Sequence, residues 1–321
     1  MKVVVIGGGS GLATLLRGIR DYPFDITAIV TMTDNGSSTG RLRKDLGILP
    51  PGDIRKCIAA LSKDESKLID LFEYRFEKGK GLSGHSLGNL LISALEDLTG
   101  SFEGAVEQIS QMLSINGNVY PATLEDVDLC AEFDDGKTVV GESQITKYGY
   151  GSRIKKIFLT HKAKTNKRAL NSIKEADLVL IGPGSLYTSV IPNFLLEKIR
   201  DAVKSSKAFK IYICNVSTER GETDGFRLSN HINVLKSYGV DLDAVITNNK
   251  VFGSGFGDGY VMPVKVDLNN VSGLKVFTAN IVDRGNPLYH DSKKLGRIIL
   301  EISTKYCKNK KPASKIFGRG L

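Results

Sequence analysis

Five residues near the start of the chain, Gly7-Gly8-Gly9-Ser10-Gly11, have the composition and placement of an anion cradle. They follow the β-branched run Val3-Val4-Val5-Ile6 directly and precede Leu12, Leu15, Leu16 and Ile19, which recur at helical spacing. A strand that turns through glycine into a helix aims unpaired backbone N–H groups and the positive end of the helix dipole at one point, which suits a phosphate. The same glycines could instead serve only close strand–helix packing. The pattern is not the G-x-G-x-x-G dinucleotide fingerprint, because the third glycine falls at Leu12, and no G-x-x-x-x-G-K-[ST] loop occurs.

Three further polar loops follow strand-like runs. TDNGSSTGRLR at 33–43 brings Asp34, Asn35, Ser37 and Ser38; GPGSLYTS at 182–189 brings Gly182, Pro183, Gly184 and Ser185; NVSTERGETDG at 215–225 opens on Asn215. In a parallel α/β sheet such loops converge on one crevice, where ligands bind. Gly182–Ser185 reads as a second anion cradle of backbone N–H groups plus a hydroxyl. Asp34 could hold a ribose hydroxyl or a metal ion; equally, Asp34 and Asn35 before Gly36 could only form a turn. Asp53, after Pro50-Pro51-Gly52, reads as a helix N-cap that could also bind a cation. Gly84-His85-Ser86-Leu87-Gly88 spells a nucleophile elbow, but the preceding FEKGKGL is charged and glycine-rich where an elbow needs a buried strand. It reads instead as a ligand-facing helix start, with Ser86 capping and His85 and Asn89 offering polar groups. His161, His231 and His290 lack metal-ligand spacing and read as surface or structural residues.

The elements that must position these loops are strand-like runs at 2–6, 26–32, 154–159, 177–181, 209–214, 243–247 and 274–278, many separated by helical patterns. That alternation predicts a parallel, doubly wound α/β sheet with helices on both faces. Segment 126–141 differs: two alternating runs meet at Asp135-Gly136, a hairpin signature. With 153–160 it is expected to form a small antiparallel addition to the main sheet, 126–160. Between 53 and 113 the pattern is helical, with Ile54, Cys57, Ile58 and Leu61 on one face and Leu87, Leu90, Leu91, Leu95 and Leu98 on another. The expected organisation is one nucleotide-binding α/β domain over 1–303 and a basic tail over 304–321.

The 321 residues suffice for a large core. No apolar run approaches the roughly 20 residues of a membrane span, and the N-terminus enters a strand without a signal-like segment. Cys57, Cys130, Cys214 and Cys307 are scattered with no C-x-x-C pair, Cys57 and Cys214 sit in apolar patterns and read as reduced core residues, and a cytoplasmic protein is expected. The net charge of +9 is uneven: residues 304–321 carry six basic side chains and no acid, residues 147–168 eight and none. The tail reads as a solvated end; it lacks the aromatic interleaving of a nucleic-acid groove, and no nucleic-acid partner is expected. The second block surrounds RIKKIFLT at 153–160, where Lys155 and Lys156 could protect an edge strand or form a positive rim for phosphate.

Taken together, IGGGSGLATLLRGIR, TDNGSSTGRLR, PPGDIRKCIAAL, SGHSLGNLLISAL, VVGESQI, IGPGSLYTSVIPNFL and ERGETDGF resemble the gluconeogenesis-factor (YvcK-like) family, which is related to the CofD-like 2-phospho-L-lactate transferases. The likeness runs from residue 4 to about 226 and more weakly to about 303. It implies a Rossmann-like three-layer fold, with Gly8–Gly11 and Gly182–Ser185 holding phosphates and Asp34, Asn35, Asp53, His85 and Asn89 lining the reacting or sensing end. The family usually has two aspartates and two glycines where this chain reads Asp34-Asn35-Gly36-Ser37, which weakens a metal role needing both carboxylates. The resemblance implies either a UDP-sugar-binding regulator of cell shape on gluconeogenic carbon or a magnesium-dependent transferase acting on a nucleoside diphosphate-linked donor. No convincing general-base pair is visible, so Asp53 and His85 are only candidate catalytic groups, Asp34 and Asp53 only candidate ligands for Mg2+, and the regulator is favoured. Its expected partners are a nucleotide-linked small molecule, a protein of cell-wall regulation and further copies of the chain.

Overall fold

The structure is a computed structural model that describes residues 1–63, 67–250 and 261–307. In chain order it runs β1 (Lys2–Gly7), α1 (Gly9–Ile19), β2 (Asp25–Val30), α2 (Ser37–Leu46), α3 (Gly52–Leu61), α4 (Lys67–Glu73), α5 (Leu87–Thr99), α6 (Phe102–Met112) and β3 (Asn118–Pro121). There follow β4 (Leu129–Phe133), β5 (Thr138–Val140), α7 (Glu142–Tyr148), β6 (Ile154–Leu159), α8 (Lys167–Glu175) and β7 (Leu178–Ile181). After a π-helical turn, Leu186–Val190, come α9 (Pro192–Leu195), α10 (Glu197–Ser205), β8 (Phe209–Ile213), α11 (Leu228–Ser237), β9 (Ala244–Asn248), β10 (Lys275–Ala279) and α12 (Ser292–Tyr306).

Seven strands form one parallel sheet in the order β10-β9-β8-β7-β1-β2-β3. The chain builds outward from β1 to β2 and β3, returns to the other side of β1 as β7, and builds outward again. The order therefore reverses between β1 and β7, the kind of switch point where the loops after two neighbouring strands part and leave a crevice. Val3 and Val5 face one core and Val4 and Ile6 the other, because successive side chains of a strand point to opposite faces. Helices cover both faces, so a continuous apolar strand is fully buried. On one face α1 buries Leu12, Leu15, Leu16 and Ile19 and crosses α12. Gly18 and Gly296 lie in that crossing: a Cβ on either would overlap a backbone carbonyl of the opposite helix.

The antiparallel part corrects one expectation: it is not an addition to the main sheet but a sheet of its own, ordered β5-β4-β6, because β4 pairs with β5 and β6 and with no strand of the main sheet. Its hairpin turns at Gly136, whose φ of +83° favours glycine. β6 is an edge strand, and both Lys155 and Lys156 pair with Glu132 of β4, at 2.7 and 2.8 Å. This pairing supports the reading of lysines that guard an edge. The leucine face of α5 is graded in depth: Leu95 is buried in the core and Leu91 packs against it, while Leu98 is 80% exposed, and Gly88, Asn89, Ile92 and Ser93 also turn inward. Gly88 sets this orientation, since a Cβ there would stand 2.5 Å from the Phe72 carbonyl oxygen. β3 was not expected at all. Of the basic tail, residues 304–306 complete α12, and 308–321 lie outside the described residues.

Candidate functional site

The loops that leave β1 and β7 meet at the switch point. Gly9, Ser10 and Gly11 from the first and Gly184 and Ser185 from the second line one cleft of about 420 Å³. The segment after β8, Asn215 to Arg220, forms a third wall; Lys56 of α3 and His290 before α12 complete it. The glycines divide by role. A Cβ on Gly11 would lie 2.7 Å from the Pro183 oxygen, and one on Gly8 would lie 2.5 Å from Thr31 Cγ2, so these two residues serve close packing. Gly9 has φ +67°, and only Ser189 Oγ, at 3.3 Å, stands in its Cβ direction. There the chain needs glycine for its backbone angle and leaves space beside it.

Several polar groups of the two cradles already have protein partners. Gly9 N–H donates to Asp53 Oδ2 at 2.6 Å. Gly184 N–H donates to Asn215 Oδ1 at 3.2 Å, and Asn215 Nδ2 returns a bond to the Gly184 carbonyl at 3.0 Å. Ser185 Oγ donates to Glu219 Oε1 at 3.1 Å. The N–H groups of Ser10 and Gly11 belong to the first turn of α1, where an α-helix supplies no acceptor of its own. Those two amides, the dipole of α1, Lys56 and Arg220 of the third wall are groups that suit an anion.

Asp53 is not the N-cap of α3. It lies in the first turn behind Pro51, and its carboxylate reaches across to the start of α1. Its second oxygen holds the Lys56 ammonium at 2.9 Å. Burial works to lower the Lys56 pKa, but attraction to Asp53, helped by Asp34, outweighs it and keeps the amine charged. Asp34 is partly buried beside Asp53; desolvation first, and then repulsion from Asp53, raise its pKa. Its Oδ1 accepts from Gly36 N–H at 2.9 Å, the turn-forming bond that was one of the two readings. With one Asp34 oxygen in that turn and both Asp53 oxygens bonded to an amide and an ammonium, the pair does not fit a magnesium ion. Among the described residues no group of three or more His, Cys, Asp or Glu side chains is gathered to hold a metal.

Ser38, His85 and Asn89 form a cluster that does not line the cleft. Ser38 Oγ lies 2.9 Å from His85 Nδ1 and accepts from Asn89 Nδ2 at 3.1 Å. All three side chains are buried, and Asn89 Oδ1 has no hydrogen-bond partner. Burial, and next the nearby Arg41 charge, lower the His85 pKa, so its ring is neutral at pH 7. Ser86 caps α5, accepting from Asn89 N–H at 3.3 Å. Asn35 is committed elsewhere: its amide bonds Gln144 and the Ser143 N–H at the start of α7. Ser37 opens α2 with a positive φ of 42°.

Sequence reasoning missed Lys56, Ser189, Glu219 and His290. Lys56 had one available signal, a basic residue three positions after Asp53 and off the apolar face of Ile54, Cys57 and Ile58. His290 read as structural, yet it lines the cleft, with Nε2 3.1 Å from the Cys214 carbonyl oxygen. His161 is exposed and His231 is buried in the core, bonded to Tyr212 at 3.0 Å.

Residues 3–282 match the family model described as 2-phospho-L-lactate transferase CofD. The chain is 44% identical over 310 residues to the gluconeogenesis factor of Halalkalibacterium halodurans, covering 94% of this chain and 96% of that protein. It is 43% identical over 311 residues to the gluconeogenesis factor of Bacillus subtilis, covering 94% and 98%. A crystal structure of a Bacillus halodurans protein described as a member of the UPF0052 family matches with a TM-score of 0.88 and 42% identity, covering 93% of this chain and 98% of that one.

Proposed function

The chain belongs to the 2-phospho-L-lactate transferase CofD family, among its gluconeogenesis factors, and on that premise we propose that it is a regulator that binds a UDP-sugar by its diphosphate. The observation that carries this reading is the convergence of Gly9–Gly11, Gly184–Ser185 and the Lys56 ammonium on one cleft at the sheet's switch point. Helix-start amides and the cations Lys56 and Arg220 suit a diphosphate. A sensor needs no more than that cradle and room for a nucleoside. A transferase needs in addition a group that assists attack, and the two candidates are poorly placed for it. Asp53 is tied to Gly9 and Lys56, and His85 lies in the Ser38–Asn89 cluster outside the cleft lining.

No helix among the described residues is long and apolar enough to cross a membrane. The proposal extends to a cytoplasmic role in adjusting cell shape and growth on gluconeogenic carbon, with the UDP-sugar level as the signal and a cell-wall protein as the listener. Native mass spectrometry of the purified protein tests the ligand class: a retained mass matching a UDP-sugar is expected. Calorimetry should show UDP-glucose binding that changes little when magnesium is removed, with the ligand recovered intact after long incubation. Steady magnesium-dependent conversion of a nucleoside diphosphate-linked donor would refute the regulator reading in favour of the transferase.

A further inference from the structure

Helix α7 is fastened at both ends to loops of the main sheet. At its start, Thr33 Oγ1 donates to Glu142 Oε1, Asn35 Nδ2 donates to Gln144 Oε1 at 3.1 Å, and the Ser143 N–H donates to Asn35 Oδ1 at 3.2 Å. Along its side, Ile145 is buried, and Tyr148 meets Phe133 of β4 edge to face with ring centroids 4.8 Å apart. At its end it meets the third wall of the cleft. The Thr146 hydroxyl is shared between the Glu142 carbonyl oxygen and Glu222 Oε1, each at 3.2 Å. The backbones at Gly149 and Gly221 cross so closely that a Cβ on Gly149 would overlap the Gly221 carbonyl oxygen, and one on Gly221 the Thr146 carbonyl oxygen. The Arg220 guanidinium lies over the Tyr150 ring, its Cζ 4.4 Å from the centroid. Glu222 extends the fastening to the second cradle: it accepts from the Tyr187 N–H at 3.2 Å and from Thr188 Oγ1 at 2.8 Å, just past Gly184–Ser185.

We propose that Tyr150 is a positioning residue of the cleft, whose ring holds the Arg220 guanidinium where it meets the diphosphate of the ligand. The inference rests on the diphosphate reading above. Tyr150 does not itself line the cleft, whereas Arg220 does, in the same conformation that sets it over the ring. The segment from Asn215 to Arg220 belongs to no helix or strand, so no ladder of its own fixes where its side chains point. An arginine in such a loop has many rotamers to lose when a ligand orders it, and that loss weakens binding. An aromatic face attracts the cation and orders it on folding instead. The ring engages the charge of the guanidinium, whereas a phosphate is recognised by its N–H fork, so the two contacts are compatible. The glycines at 149 and 221 make the placement possible: with no side chain between the two backbones, the end of α7 lies directly against the wall and brings the ring within reach of Arg220.

Calorimetry with UDP-glucose tests this. Arg220→Met should weaken binding by roughly tenfold, because a charge-assisted contact to the diphosphate is lost. Tyr150→Ala should weaken it by about three- to fivefold, and Tyr150→Phe, which keeps the ring face, should bind as the wild type does. Tyr150→Leu keeps apolar bulk without the ring and should bind as weakly as Tyr150→Ala. In the Arg220→Met background, Tyr150→Ala should have no further effect, because the ring acts only through the guanidinium. Tyr150 is 55% exposed, so every variant should fold, and thermal melts on the same preparations check that. Four results each overturn the positioning role while leaving diphosphate binding in place: an Arg220→Met or Tyr150→Leu protein that binds as the wild type does, a Tyr150→Phe protein as weak as Tyr150→Ala, or a Tyr150→Ala loss that persists in full without Arg220. Absence of UDP-glucose binding to the wild-type protein overturns the diphosphate reading and this inference with it.

Discussion

Asp53→Asn is the substitution that separates the readings of the cleft most sharply. Asp53 holds two groups that a phosphate would also seek, the Gly9 amide at 2.6 Å and the Lys56 ammonium at 2.9 Å. A hydrogen bond to a buried charged acceptor contributes about 1.5–3 kcal/mol, against about 1 kcal/mol for a neutral one. The Lys56 side chain is 35% exposed, so its ion pair adds no more than about 0.5 kcal/mol after screening. Losing the charge also relieves Asp34, whose raised pKa owes part of its shift to Asp53, and this offsets some of the loss. The expected net destabilisation at pH 7 is about 1 kcal/mol, a fall in Tm of roughly 2–3 °C. Binding should move the other way. One unit charge about 10 Å from a phosphate, at an effective dielectric of about 20–40, is worth ~0.8–1.7 kcal/mol. UDP-glucose should therefore bind roughly four- to fifteen-fold more tightly to the Asn variant, with Lys56 free to turn to the ligand. Thermal melts and calorimetry on the same preparations read both effects. A folded variant that no longer binds UDP-glucose would refute the reasoning, because it would make Asp53 a ligand contact and not a resident competitor.

Lys56→Met should weaken UDP-glucose binding by roughly tenfold in calorimetry, whereas Lys155→Ala with Lys156→Ala should leave affinity and association rate unchanged, since both lysines pair with Glu132 on the separate sheet. His231 and His290 are buried with pKa values of about 4, set chiefly by burial. The unfolded chain binds protons near pH 6.5 that these folded rings refuse, so stability should fall from about pH 6.5 down to pH 4, by about 3 kcal/mol for each. Urea unfolding across that range should show the loss, with a shallower slope in His231→Gln. Gly18→Ala should destabilise by about 1–3 kcal/mol in the same assay, because its Cβ would overlap the Ser292 carbonyl oxygen, while Gly151→Ala, which meets open space, should not.

The elements whose identity is written in local pattern were legible from residue order. Val3 to Ile6 followed by five small residues gives a buried strand, a tight turn and a helix start wherever it occurs, because β-branched packing and glycine freedom are properties of the residues themselves. Asp135-Gly136 gives a hairpin for the same reason. The alternation of such units fixed the sheet as parallel, and it placed Gly9–Gly11 and Gly184–Ser185 at the same end of it. β3 escaped because Asn118–Pro121 is a four-residue edge strand with neither alternation nor a long apolar run. The leucine stripe of α5 lies on one face, but periodicity says which residues lie together and not how deep each one sits: Leu95 is in the core and Leu98 is exposed. Tight contact at Gly88 decided that.

The site was divided in the same way. Its glycines were visible because backbone geometry leaves a mark on composition. Its charges were not, because a lysine on α3, a glutamate after β8 and a histidine before α12 acquire their roles only when β1 and β7 become neighbours. Asp53 shows the difference most plainly. The sequence marks it as the opening of a helix. Only the folded chain sets it against the Gly9 amide and Lys56, across 44 residues of sequence, where burial and charge decide what it does.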